Sequence, residues 1–424
     1  MIYNESKYNR QWETKKLSEL GVFARGKSKH RPRNDERLFE GGGYPLVQTG
    51  EIKDANLYIR HHEQEYGDFG LKQSKLWNTG TLCITIAANI AETAILAYPM
   101  CFPDSIVGFS ANHEKSSEKF MYYIFEYIKK SIQNAATGSI QDNINIDYLT
   151  SLDFKVPSKK YQDEMVMLLS AIDEKILLNS EINDNLEQQA KLIYDYWFTQ
   201  FDFPDENGKP YCSSGGKMVW NEQLKRTIPE GWITSPLSDI FTFKSGYSFS
   251  SDLYEVSGKY KLLTIKNVQS NGIYLNVDNY INILPDNVPE YCLLKAKDIL
   301  MSLTGNVGRV GIMYANNCLL NQRVALAEPV DINQRVFVYF LLKSDIIHKQ
   351  YEMIANGSSQ QNLSPIEAEK VIIAYNPEVA IKFSTLCSEH LNTIVSNLAE
   401  NQELINIRDW LLPMLMNGQA TISD

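Results

Sequence analysis

The feature that most limits how this chain can fold is an internal repeat that spans almost its whole length. Residues 12–198 and 232–415 share one order: a segment opening with Trp, a series of short predicted strands, a Gly-Ser-x-Gln sequence and a long amphipathic helix. The segments ATGSIQDN (136–143) and ANGSSQQN (355–362) lie 219 residues apart, and Trp12 and Trp232 lie 220 apart. Offsets this constant indicate a tandem duplication of one domain with its following helix.

Composition predicts an ordinary globular protein. The 424 residues are 44% hydrophobic and 22% charged, which suits two or three domains. The six cysteines occur singly, so neither a disulfide framework nor a zinc site is expected. The polar N-terminus does not resemble a signal peptide, and the apolar stretch 82–102 carries Asn89 and Glu92 at its centre, which favours two buried strands over a membrane span. We therefore expect a cytoplasmic protein without membrane contact.

The charges are unevenly distributed. The net charge of −10 argues against a generally basic nucleic-acid binder, yet the acidity is concentrated in the first long helix. By contrast, the loop from residue 27 to 33 holds four permanent cations with no acid before Asp35. This loop is either a solvated surface or a contact to a phosphate backbone.

Both long helices carry a coiled-coil seam, meaning the apolar positions reached by alternate steps of four and three residues. About 33 helical residues make a rod of roughly 50 Å, which would hold two like domains apart. Antiparallel pairing would place Asn179, Asn183 and Asn401 in neighbouring layers, where they could hydrogen-bond one another and fix the register. Alternatively, each apolar stripe packs only on its own domain.

The predicted fold class is α+β, with two mixed α/β domains in tandem, each followed by a long helix, and the helices pairing as an antiparallel coiled coil. The expected boundaries are residues 1–157 for the first domain, 158–200 for the first spacer helix, 201–231 for an irregular connector, 232–375 for the second domain and 376–424 for the second spacer helix.

One motif points to an enzyme but lacks the required context. The segment GVFARGKS (21–28) matches the phosphate-loop pattern G-x-x-x-x-G-K-S. A phosphate loop needs a helix directly after it, and the following KHRPR sequence cannot begin one. The second repeat does not keep the pattern, and no catalytic constellation is visible, so we predict no active site in this chain.

Several polar positions are candidates for binding. Gln141 and Gln360 of the Gly-Ser-x-Gln segments could read adenine or phosphate, but Gly and Ser could equally be retained for a tight turn. The turns at Asn89 and Asn306 and the pair Gln322-Arg323 are ambiguous in the same way. The candidate DNA-contacting residues are Lys27, Lys29, Arg31, Arg33, Asn89, Gln141, Lys244, Tyr247, Asn306, Arg309, Arg323 and Gln360.

The whole pattern resembles the specificity subunit of type I restriction-modification systems. The resemblance covers nearly the full chain, and its carriers are LEQQAKLIYDYWF (186–198), NQELINIRDWLLP (401–413), and FDFP (201–204) with KMVWN (217–221) between the repeats. The two domains would be target-recognition domains and the long helices the family's conserved regions.

The resemblance implies a non-catalytic bacterial or archaeal subunit that reads a bipartite, asymmetric target in double-stranded DNA. It also implies two adenine-N6 methyltransferase subunits and translocating endonuclease subunits as partners, which would bring S-adenosylmethionine, ATP and Mg²⁺. The alternative left open by the residues is a scaffold that uses twin domains for protein contacts.

Overall fold

A computed structural model of the chain describes residues 2–137, 145–355 and 361–422. The chain forms two compact units. The first comprises Met1–Leu178 with Asn401–Asp424, and the second comprises Asn179–Glu400. Each unit therefore contains one β-rich domain and a segment of both long helices. In the described part of the chain, no helix has the length and apolarity needed to cross a membrane.

The first unit is built on two main sheets. Its strands are β1 Glu13–Lys16, β2 Gly21–Arg25, β3 Tyr44–Leu46, β4 Tyr58–Ile59, β5 Gln64–Tyr66, β6 Leu76–Trp77, β7 Leu82–Thr85, β8 Thr93–Leu96, β9 Met100–Cys101, β10 Ile106–Ala111 and β11 Asp153–Val156. The sheet orders are β2-β10-β7-β8-β4 and β5-β3-β9-β6, and β1 pairs with β11. Its helices are α1 Thr49–Asp54, α2 Asp68–Gln73, α3 Glu118–Thr137 and α4 Ile146–Ser151.

The central hairpin of β7 and β8 confirms the prediction of two buried strands around a turn. Every residue of both strands is buried. Leu82 and Ile84 face the core that contains Phe120 of α3, whereas Cys83 faces the opposite core around Trp77. Alternate residues of a strand point to opposite faces, so a sheet covered on both sides requires such an apolar run.

The second unit repeats this architecture. Its strands are β12 Met218–Asn221, β13 Arg226–Pro229, β14 Ile233–Pro236, β15 Phe241–Ser245, β16 Tyr260–Leu263, β17 Val268–Gln269, β18 Gly272–Ile273, β19 Tyr280–Ile281, β20 Leu293–Leu294, β21 Ile299–Ser302, β22 Val310–Ile312, β23 Cys318–Leu320, β24 Val324–Pro329 and β25 Ile372–Tyr375. The sheet order β15-β24-β21-β22 matches β2-β10-β7-β8, and β14 pairs with β25 as β1 pairs with β11.

The long helices are α5 Lys159–Tyr194 and α10 Ser388–Met416, and a π-helical turn, Asp195–Thr199, ends α5. The shorter helices of the second unit are α6 Arg335–Leu342, α7 Asp345–Ile354, α8 Pro365–Glu369 and α9 Pro377–Leu386. The region from residue 376 thus holds two helices. Asn376 caps α9, and Cys387 separates α9 from α10.

Within the first unit, α5 and α10 run antiparallel. Tyr161 near the start of α5 donates to the carbonyl of Ala420, whereas Asn401 donates to the carbonyl of Ile176 at 3.2 Å. Between these points the buried Asp173 accepts from Tyr123 of α3 at 2.6 Å and from Arg408 at 2.9 Å. The seam residues Met165, Leu169, Leu412 and Leu415 also join the core of the domain, so the helices pack on the domain as well as on each other.

Within the second unit, the same pairing continues through amide side chains. Asn179 donates to Glu400 at 2.7 Å, and Asn397 donates to the amide oxygen of Asn183 at 2.9 Å. Asn183 and Asn401 also bond facing carbonyl groups, at Ile394 and Ile176 within their respective units. The predicted polar layers exist, but the side chain that pairs with Asn183 across the helices is that of Asn397, which lies off the predicted seam.

The connector between the repeats is more ordered than its Gly and Pro content predicted. β12 and β13 form a hairpin, closed by a turn in which Lys225 has a φ of 51°. Asp202 accepts from the backbone of Ser213 at 2.6 Å, which ties the preceding loop together. The prediction of an irregular segment was wrong here, because backbone pairing between two short strands leaves little pattern in the sequence.

Candidate nucleic-acid interface

The loop after β2 starts at a glycine that packs directly against the backbone. A Cβ on Gly26 would lie 2.1 Å from the carbonyl oxygen of Pro103, so only glycine fits. The N–H of Gly26 donates to Ile106 and that of Lys27 donates to Phe102. The basic loop is thereby held against residues 103–105. Residues 27–35 form no helix, so the segment GVFARGKS lacks the helix that a phosphate loop requires directly after it.

The two arginines of the basic loop converge on Asp104. Arg33 donates to this carboxylate at 2.5 Å and Arg31 at 3.4 Å, and both guanidinium groups are about half exposed. Lys29 is exposed and Lys27 is half-buried. This carboxylate lies 71 residues after Arg33 in the sequence, and its negative charge partly offsets the positive charge of the loop.

A second carboxylate holds the far end of the loop. Asp35 accepts from Arg37 at 2.6 Å and pairs with His30 at 2.7 Å. The hydrogen bonds from Arg37 and His30 keep the pKa of Asp35 well below its usual range. Two acidic residues outside the loop, Asp35 and Asp104, therefore organise it. The loop presents Lys27, Lys29, Arg31 and Arg33 from a defined backbone.

The Asn89 turn lies beside this loop. The N–H of Ile86 donates to the carbonyl of Ser105 at 3.0 Å, which joins the β7-β8 turn to the segment that carries Asp104. The hydroxyl of Thr85 donates to the carbonyl of Asn89 and accepts from the N–H of Glu92. We call the surface formed by residues 27–33, 88–91 and 103–105 the first edge.

The second unit contains an equivalent surface. A Cβ on Gly246 would also lie 2.1 Å from a carbonyl oxygen, that of Asn321. Gly246 donates to Val324, and Tyr247 donates to Leu320. These bonds reproduce those of the first edge, so residues 321–323 correspond to residues 103–105.

The second turn is anchored in the same way. The hydroxyl of Ser302 donates to the carbonyl of Asn306 and accepts from the N–H of Arg309, and the N–H of Leu303 donates to the carbonyl of Arg323. With its amide oxygen turned towards Arg309, Asn306 accepts from both terminal guanidinium nitrogens at 2.7 and 3.2 Å. We call the surface formed by residues 244–247, 304–309, 321–323 and 361–362 the second edge.

Other predicted residues differ in their freedom to bind. Lys244 pairs with Glu328 and lies over the ring of Tyr291, and the hydroxyl of Tyr247 donates to Asn287 at 2.9 Å. Arg323 is exposed and has a φ of 72°. Lys244 and Tyr247 are thus already engaged, whereas Arg323 projects from the edge.

The Gly-Ser-x-Gln prediction stays a prediction, since Gln141 and Gln360 lie outside the described residues. The described chain resumes at Gln361. The N–H of Gly305 donates to the carbonyl of Gln361, and that of Leu363 donates to Leu303. The chain directly after Gln360 therefore belongs to the second edge.

Sequence reasoning missed Asp104 and Gln361 and weighed Gln322 only in passing. Their only signal was their position relative to the repeat, because none belongs to a motif. Among the described residues, no group of three or more His, Cys, Asp and Glu side chains is placed to hold a metal ion. The two edges offer hydrogen-bonding groups and positive charge. The backbone segments that carry these side chains are held in place by hydrogen bonds.

Comparisons with known proteins give a consistent result. The family model described as the type I restriction modification DNA specificity domain matches residues 9–188 and 229–374. The chain is 23% identical to the type I restriction enzyme MjaIX specificity subunit of Methanocaldococcus jannaschii, over 99% of this chain and 95% of that protein. It is 24% identical to the HindI specificity subunit of Haemophilus influenzae, over 69% and 74%.

A solved structure supports the fold. The crystal structure of a type I restriction-modification system S subunit from M. genitalium matches all of both chains with a TM-score of 0.57 and 19% identity. At this identity the likeness concerns architecture rather than individual contacts. The tandem arrangement of two mixed domains with long helices is therefore a known one.

Proposed function

This chain belongs to the type I restriction modification DNA specificity family, and from that membership we propose that each of its two domains reads one half of a bipartite, asymmetric DNA target. The observation that carries the proposal is the pair of edges. The same backbone hydrogen bonds around a glycine, Gly26 or Gly246, are present in both units, and we call this arrangement the frame. In each unit the frame groups several predicted contact residues on one surface.

The side chains on the two edges suit different bases. The first edge presents two arginines and two lysines, and arginine is the usual bidentate partner of guanine O6 and N7. The second edge presents amides at Gln322, Gln361 and Asn362, all exposed, with Arg323 beside them. Amide side chains suit the N6 and N7 pattern of adenine. Different donors on equivalent positions favour two different half-targets.

We further propose that methyl transfer and cleavage reside in partner subunits. Two adenine-N6 methyltransferase subunits and the restriction subunits would dock on this chain and bring S-adenosylmethionine, ATP and Mg²⁺. Exposed apolar side chains on the long helices support a docking role. Met167 is 69% exposed in the first unit, Leu192 is 69% exposed in the second, and Trp410 is 60% exposed.

The test is a methylation map. DNA exposed to the assembled complex would be sequenced for N6-methyladenine, and we expect two short constant segments of different sequence, separated by a gap of fixed length. A continuous or palindromic motif would contradict two separate readers. Arg33→Gln and Gln322→Ala should each alter the preference in one segment and leave the other unchanged.

The scaffold alternative makes a different prediction. A protein-interaction scaffold would not bind duplex DNA with a steep dependence on salt, whereas a reader that neutralises phosphates must do so. Titration of duplex DNA at several salt concentrations separates the two. Affinity that does not vary with salt would favour the scaffold.

A further inference from the structure

Asp104 and Gln322 occupy the same position in the two units. Each stands two residues before the residue whose carbonyl accepts from the glycine that both units share, Gly26 in the first unit and Gly246 in the second. Each follows the residue whose carbonyl oxygen lies against that glycine. The duplicated frame thus places a carboxylate on one edge and a neutral amide on the other.

Asp104 accepts hydrogen bonds from three arginine side chains. Its carboxylate accepts from Arg33 at 2.5 Å and Arg31 at 3.4 Å, and its carbonyl accepts from Nε of Arg25 at 2.5 Å. Arg31 also donates to the carbonyls of Ser28 and His30. Among the described residues Asp104 is the only hydrogen-bond partner of the Arg33 side chain, so this carboxylate is the contact that orients Arg33.

A carboxylate between two guanidinium groups has two effects on a DNA-binding loop. It orients the donors, because paired charge-assisted hydrogen bonds fix both position and plane. It also opposes the approach of phosphate, which carries the same sign of charge and would compete for the same donors. The first effect favours reading of a base edge, and the second weakens binding to the backbone of any sequence.

We propose that Asp104 is a positioning residue that sets the specificity of the first edge by holding Arg31 and Arg33 for a base edge and away from the phosphate backbone. This inference rests on the proposed function. At the equivalent position of the second edge the exposed Gln322 carries no charge, so its amide is itself available to a base.

The test compares Asp104→Asn with wild type in the complex of the full chain with its methyltransferase subunits. Affinity would be titrated on the methylated target of the wild type, on duplexes with single mismatches and on an unrelated duplex, at several salt concentrations. We expect affinity for the unrelated duplex to rise several-fold and the salt slope to steepen by up to about one unit for each arginine released. The preference for the matched base should fall about tenfold.

The matched control is Glu36→Gln, which removes one negative charge from the same region. Among the described residues the Glu36 side chain contacts neither Arg31 nor Arg33. The Glu36→Gln variant should therefore leave the base preference unchanged. A merely structural role for Asp104 would instead lower affinity for all sequences together and lower the melting temperature. That outcome, or an unchanged preference and slope, would overturn the proposal.

A double-mutant cycle keeps the test decisive if one variant folds poorly. In an Arg31→Gln/Arg33→Gln background, Asp104→Asn should change the base preference far less than it does in wild type, because both groups that it positions are gone. Equal effects in both backgrounds would overturn the inference. Failure of the proposed function would look different, since the wild-type complex itself would then show no preference among duplexes.

Discussion

The turns at Asn89 and Asn306 show how the two halves of this protein have diverged. Each turn is held by a hydroxyl that donates to the Asn carbonyl, from Thr85 in one unit and Ser302 in the other. The residue whose N–H returns to that hydroxyl is Glu92 in the first turn and Arg309 in the second. One backbone geometry therefore carries opposite charges at the same place.

The surroundings of the two charges explain their different roles. Glu92 pairs with Lys129 of α3 at 2.5 Å and faces into the domain. Arg309 contacts Asn306 on the exposed turn, where it can support a binding side chain. The comparison teaches that the duplication kept the bonds that shape the backbone and freed the remaining side chains to change.

The largest expected effect is on stability, and it differs between the charged layer around Asp173 and the neutral layer around Asn183. Asp173→Ala should destabilise the first unit by about 3–5 kcal/mol, because it leaves the partly buried Arg408 without its main partner. It also leaves the hydroxyl of Tyr123, whose pKa is raised by burial and by Asp173, without its acceptor. Asn183→Ala in the second unit removes only neutral hydrogen bonds and should cost about 1–3 kcal/mol. Chemical denaturation measures both, and equal losses would contradict this difference between layers.

The next effect tests whether the frame is really shared. Gly26→Ala and Gly246→Ala should each destabilise by about 1–3 kcal/mol, since the new Cβ would clash with a backbone carbonyl in either unit. Gly50→Ala is the matched control, because nothing lies within 4 Å of its Cβ position. The melting temperatures of the three variants would measure these losses of stability. A loss in only one of the two frame variants would mean that the edges are not equivalent.

A smaller effect concerns the turns themselves. Arg309→Ala should release the side chain of Asn306 and reduce discrimination at one base of one half-target by about 1 kcal/mol, the typical net worth of a hydrogen bond. Glu92→Ala should leave base discrimination as it was, since that carboxylate bonds Lys129 inside the first unit. Competition binding with single-mismatch duplexes reports both. Loss of discrimination in Glu92→Ala would break the contrast.

The smallest effect compares the loops that follow the glycines. Lys27→Gln and Lys29→Gln should each reduce the salt slope of DNA binding by up to about 0.9 units and weaken all sequences alike. Tyr247→Phe, at the position equivalent to Lys27, changes no charge and should leave the slope unaltered. If neither lysine changes the slope, the basic loop is a solvated surface.

Much of the fold could be predicted from the sequence because its signals are periodic or repeated. The repeat predicted two similar domains, the stepping of apolar residues predicted the paired helices, and the run 82–102 predicted buried strands. Each signal is local or recurs at a fixed offset, so it survives without knowledge of long-range contacts. The hairpin of β12 and β13 was missed because short strands depend on pairing more than on pattern.

The sequence predicted only part of the candidate site. Asn89, Asn306 and the cations after Gly26 could be named from their residue types, but not their grouping into two edges. That grouping depends on hydrogen bonds such as Ile86 to Ser105 and Leu303 to Arg323, which join residues 19 and 20 apart in sequence.

The sequence by itself determined that this protein is a duplicated α+β chain with candidate binding loops and two long amphipathic helices. Only the tertiary structure decided which side chains lie beside those loops. It brought Asp104 to Arg31 and Arg33 and set Gln322 at the equivalent place, because strand β10 and its counterpart β24 begin beside the loops that start at Gly26 and Gly246. Charge balance within a site is a property of residues close in space, and closeness in space is settled by strand pairing rather than by order along the chain.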